Sequence, residues 1–245
     1  MKSIEQIHEE LNIWHFPHHP WEVTIGNMHL AFNPKTLIMT WIVMIIIAIF
    51  WVWATRNMEM KKPSKKQLLA EEIFNFLRGL VSENLDPRKG ASIMTLIFAL
   101  FIFLLFSNLW GLIPTMMSPT ADLNTTAGLA ILVFILIQIL GFRYRGAGYV
   151  KYYLHPYPFF LPLTVVEELA KPVTLAFRLY GNIFAGEVLI AVLLSLMGLK
   201  TFYFLGFLPH VVWLAFSIFV GCIQAFIFTM LTIAYTARAV AEDEH

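Results

Sequence analysis

Arg178 is the residue whose chemistry is hardest to place. It lies within Val173–Leu199, a run of Val, Leu, Ala, Phe and Ile whose only other charged residue is Glu187. A guanidinium keeps its proton in a protein, so burial cannot neutralise it as it can a lysine. A charge at the centre of a bilayer costs about 2.5–3.5 kcal/mol on insertion scales, so such a residue is paired, or marks an ion pathway or a ligand site. Glu187 sits nine residues on. On a helix that is about 13.5 Å along the axis and half a turn round, so the two cannot touch. Glu167 shares the face of Arg178 but lies about 16 Å away. Arg178 therefore points to a carboxylate supplied by another helix or another protein. The plainer alternative is an arginine that snorkels and only orients its own helix.

Other polar residues fall at helical spacing around it. Glu167, Lys171, Thr174, Arg178 and Asn182 form one slowly drifting stripe. Glu167 and Lys171 stand four apart in the favourable order, which suits either an interfacial ion pair or an aqueous access path. Further on, Ser217, Gly221, Gln224 and Tyr235 share a face. Gly221 would let a neighbouring helix approach closely, and Ser217 and Gln224 could hydrogen-bond across that contact. Glu187, a lone carboxyl within an apolar run, is a natural proton relay. No phosphate loop, nucleophile elbow or H-E-x-x-H motif occurs, so neither a catalytic site nor a cofactor is expected.

The elements that must position these residues are membrane helices. The chain has 245 residues, 58% apolar and 13% charged, too hydrophobic for an ordinary soluble domain. The net charge of +1 says nothing about nucleic acid, but no basic run is interleaved with aromatics as a single-strand binder would need, so no nucleic-acid partner is expected. A single cysteine, Cys222, allows no internal disulfide, and its apolar neighbours suggest an inert thiol. The polar stretch 1–35 is expected to be an extracytoplasmic, loop-like segment with no cleavable signal. Its His15, His18 and His19 read as solvated rather than as metal ligands.

Residues 36–245 then form a single integral membrane domain. The expected fold is an all-α membrane protein with five crossings, at about 36–54, 93–113, 127–142, 163–199 and 205–237. Residues 65–81 carry apolar positions at helical spacing among charges, the pattern of an amphipathic surface helix. The last two tracts would reach about 50 Å against a hydrocarbon core of about 30 Å, so they break, for instance at Pro172, or tilt strongly. Strong tilt is favoured. Lys and Arg cluster after the first and third spans and are absent from 114–126, which places the N-terminus outside and the C-terminus in the cytoplasm.

Three segments resemble one known family. Lys171–Glu187 (KPVTLAFRLYGNIFAGE) resembles the signature of subunit a of F-type ATP synthases. Gln224–Phe228 (QAFIF) resembles its last-helix motif, and Pro119–Thr126 (PTADLNTT) its outer-loop motif. The resemblance runs from about Lys65 onward. It implies a stator bedded against a rotating ring of c subunits and held by peripheral-stalk b subunits and the remaining synthase subunits. The setting would be a bacterial plasma membrane or a thylakoid-type membrane. Arg178 would face the ring carboxylate, and Asn182, Glu187 and Gln224 would line an outer half-channel with Asp122 and Asn124 near its mouth. Glu167 and Glu168 would belong to the cytoplasmic side. Some bacterial members carry a histidine where this chain has Ser217, so a relay here would run through Glu187, Gln224 and water. A secondary transporter would show inverted repeats, and none is visible. A structural scaffold would need no polar residues such as Arg178, Glu187 and Gln224 within its spans.

Overall fold

The computed structural model describes residues 21–25, 28–56, 58–59, 63–113, 116–146, 148–149, 159, 161–197 and 203–241. Among the described residues six α-helices dominate: α1 Pro34–Thr55, α2 Lys65–Asn84, α3 Pro87–Trp110, α4 Leu123–Arg145, α5 Leu161–Met197 and α6 Tyr203–Val240. A short 3-10 turn, Pro119–Ala121, precedes α4. Ahead of α1 stands an antiparallel hairpin of β1 Trp21–Ile25 and β2 Met28–Phe32, with Trp21 opposite Phe32 and Ile25 opposite Met28. The helical expectation therefore holds from Pro34 onward, while the N-terminal segment is not loop throughout. Gly26-Asn27 between two alternating runs is a hairpin signal that the polar character of the segment obscured. His15, His18 and His19 lie outside the described residues.

Local chemistry sets the helix ends. Asn33 caps α1 by accepting from the Lys35 N–H, with Pro34 in the first turn. Ser64 caps α2 through the Gln67 N–H. Asp86-Pro87 starts α3 six residues before its apolar run, and Asp122 starts α4 by accepting from the Asn124 N–H at 2.9 Å. Gly146, at φ 55, ends α4 in a conformation that side chains disfavour, after Arg143 and Arg145 have placed positive charge on the last turn. Pro172 does not break α5, which runs continuously past it.

Helices α3 to α6 pack as the central bundle, α4 on α5, α3 on α6 and α5 on α6, with α1 and α2 flanking. On α3 the buried positions Gly90, Ile93, Ile97, Leu100, Leu104 and Ser107 follow the helical period. Leu104, Val133, Leu179 and Phe228 meet in the main core, and Ile97, Leu140 and Ile233 in a second cluster. Thr229, Thr232 and Thr236 turn their hydroxyls back to carbonyls four residues earlier, so the buried face of α6 carries no free hydroxyl at these positions. The Thr36 hydroxyl on α1 donates to the Asp122 carboxylate at 2.9 Å, tying α1 to the start of α4.

The outer faces are apolar. On α1, Trp41, Ile49 and Val52 are each more than 60% exposed. A contiguous surface of this kind suits lipid rather than water. Four helices are long and apolar enough to cross a membrane among the described residues: α1, α3, α4 and the Val211–Val240 part of α6.

Candidate functional site

Helices α5 and α6 diverge around a cavity of about 430 Å³ whose third wall is the end of α3. Arg178, Asn182 and Gly186 line it from α5, Trp213, Ser217 and Gln224 from α6, and Asn108 from α3. Four residues singled out in the sequence, Arg178, Asn182, Ser217 and Gln224, thus share one space. Arg178 is exposed at its edge, and no carboxylate among the described residues pairs with it. Asn182 Nδ2 donates to Gln224 Oε1 at 2.9 Å, joining the two long helices.

Asn108, not among the residues singled out in the sequence, also joins the site. It is 2% exposed; its Nδ2 donates to the Gly221 carbonyl at 2.9 Å, and its Oδ1 accepts from the Thr120 hydroxyl at 2.8 Å. Gly221 permits this approach: a Cβ there would stand 3.3 Å from Asn108 Cβ. Ser118 extends the chain, lying 2.6 Å from Thr120 Oγ1 and donating to the Ser107 carbonyl at 2.8 Å. A lone asparagine in an apolar helix stands out, but the sequence does not name its partner when that lies on a helix more than a hundred residues away.

Ser217 Oγ and Trp213 Nε1 are buried without a hydrogen-bond partner among the described residues. Unpaired buried groups are costly, and the usual remedy is ordered water. By volume the cavity could hold on the order of ten waters, at about 30 Å³ each. The chemistry available is amide, hydroxyl and indole hydrogen bonding, ending at a fixed cation. Such a lining can hydrate an ion or pass a proton along water.

The other expected site residues stand elsewhere. Glu187 lies on α5 five residues beyond Asn182, its side chain outside the described set. Asp122 caps α4 and holds Thr36, and Asn124 is exposed beside it; neither lines the cavity. The expected Glu167–Lys171 pair is replaced by Glu168–Lys171. Glu167 points outward, whereas Glu168 is 7% exposed. Spacings of three and four are both neighbours on a helix, and burial of Glu168 between α5 and its packing partners selected the shorter one.

Helices with lipid-suited outer faces, enclosing a cavity reached by several polar side chains beside a guanidinium that is unpaired among the described residues, define a multi-pass membrane protein. The family model described as ATP synthase A chain matches residues 37–237. ATP synthase subunit a of Desulforamulus reducens is 47% identical over 247 residues, covering 98% of this chain and 92% of the relative. That of Priestia megaterium is 40% identical over 233 residues, covering 90% and 97%, and that of Bacillus subtilis 36% over 241, also 90% and 97%. The chain belongs to the ATP synthase A-chain family, a subunit of the membrane sector.

Proposed function

We propose that the chain is the stator across which ions pass on and off a ring of c subunits, so that ion flow drives rotation. The observation that carries this is the gathering of Arg178, Asn182, Ser217 and Gln224 around one cavity between α5 and α6. Arg178 faces the ring carboxylate, its natural partner given that no described carboxylate in this chain reaches it. The carboxylate ionises beside the arginine and travels protonated through lipid, where charge is costly. The fixed cation separates two dead-end water paths, so an ion crosses only by riding the ring. A membrane potential contributes about 2.3 kcal/mol per charge per 100 mV to that transfer.

The outer half-channel is the α5–α6 cavity with Glu187 as its titrating group, and Asn124 stands near its mouth beside the cap residue Asp122. On the inner side Glu167 is the accessible carboxylate. The translocated ion is H⁺. Helix α5 is the fourth of five crossings; at 37 residues it would span about 55 Å, so it and α6 tilt strongly. Helix α2 lies on the membrane surface, its Leu68, Leu69 and Phe76 exposed beside charges. The N-terminus is outside and the C-terminus in the cytoplasm of a bacterial cell, with b subunits and the rest of the synthase as further partners.

Arg178→Ala should leave the subunit inserted and assembled but abolish ATP-driven pumping in inverted vesicles. Arg178→Lys should not restore it, because a lysine desolvated against the ring can lose its proton and lacks the planar fork. Full pumping by the Ala variant would overturn the stator assignment.

A further inference from the structure

We infer that Glu168, Lys171 and Tyr235 form a brace that holds the proline-weakened turn of α5 against α6 and so sets the position of Arg178. This rests on the stator reading and gives the two adjacent glutamates different roles. Glu168 is a positioning residue, and Glu167 alone is left for the inner ion path.

Several independent observations converge on this turn. Pro172 has no N–H, so the Glu168 carbonyl, four residues earlier, loses its helical partner. The helix nonetheless continues, and the side chains around the gap are tied down. The Glu168 carboxylate accepts from Lys171 Nζ, and both side chains are largely withdrawn from solvent. Lys171 Nζ also lies 5.4 Å from the centre of the Tyr235 ring, which belongs to α6. Glu168, Lys171, Pro172 and Tyr235 wall one narrow crevice with Leu175 and Val133, separate from the Arg178 cavity. The link from carboxylate to ammonium to ring therefore runs from one long helix to the other.

Lys171 precedes Arg178 by seven residues, about 10 Å along the axis and within about 20° of the same face. A change of bend at Pro172 would swing Arg178 relative to Gln224 and to whatever faces it. A carboxylate serving an access path must meet water, and Glu168 is engaged by an ammonium in a crevice with little room. Glu167, one position away, is exposed.

The test uses the whole ATP synthase in inverted vesicles, with pumping normalised to assembled subunit. Glu168→Gln or Lys171→Met should each lower pumping by about tenfold or more, as expected when a reacting group is misplaced by about an ångström. The double variant Glu168→Leu with Lys171→Met should recover most of the parent rate, because a paired apolar replacement leaves no stranded charge. Should the double variant assemble fully and stay as inactive as Glu168→Gln, the carboxylate itself belongs to the ion path and the brace is wrong. Parent-rate pumping by Glu168→Gln would equally overturn it.

If the single variants fail to assemble, Tyr235 decides. Tyr235→Phe keeps the ring and should pump normally, whereas Tyr235→Leu should not; equal rates would sink the proposal. A second measurement is independent of pumping. In a Cys222→Ser background, cysteines at Asn182 and Gln224 should form a disulfide more slowly in brace variants. An unchanged rate overturns the brace, whereas normal pumping by Arg178→Ala would instead overturn the stator reading beneath it.

Discussion

Asn182 and Gln224 share the one described hydrogen bond that crosses the seam between the long helices beside Arg178. Each amide keeps spare donors and acceptors for water, so the bond fixes their orientation without closing the path. Asn182→Leu and Gln224→Leu should each slow transport, and the double variant should be slower by less than the sum of the two effects. Hydrogen bonds between membrane helices contribute about 0.6 kcal/mol on average, so a coupling of about that size is expected from the double-mutant cycle. It can be read from ATP-driven pumping at a fixed level of assembled subunit. Strict additivity would mean that the two amides act separately. Ser217 completes this picture by contrast: its hydroxyl can orient water but cannot titrate, so in the proposed path the proton-carrying role falls to Glu187.

At the scale of the elements, the seam between α3 and α6 depends on the missing side chain of Gly221. Gly221→Ala asks its neighbour to yield a few tenths of an ångström, given the 3.3 Å approach to Asn108 Cβ. Gly221→Val adds branched bulk against a buried amide and should destabilise the bundle by about 1–3 kcal/mol, the usual cost of overpacking. Thermal unfolding of the detergent-solubilised complex would measure it; unchanged stability would mean that α3 and α6 are free to part. The helices themselves are legible in the sequence because apolar runs of membrane-spanning length admit few other folds. Their ends are not, since α3 and α4 begin in polar turns at Asp86-Pro87 and Asp122 that carry no apolar signal. Arg178, Asn182, Ser217 and Gln224 are visible because polar residues on an apolar helix stand out. Asn108 and the Glu168–Lys171 pair escape notice because their meaning lies in partners that spacing alone cannot select.

Across the whole molecule, the Thr36–Asp122 hydrogen bond joins residues 86 apart in sequence. Seen in the order of synthesis, this gives the first helix a provisional and then a final seat. α1 leaves the ribosome with its Thr36 hydroxyl unmatched by Asp122. At about 5–20 residues per second, the carboxylate follows on the order of ten seconds later. During that interval α1 has only its packing against α2 and α3 to hold it, and the arrival of the α4 cap adds the polar tie. Arrested chains ending before Asp122 should therefore leave a cysteine at Thr36 open to a water-soluble maleimide. Chains long enough to present α4 should protect it, and equal labelling at both lengths would show that α1 settles unaided.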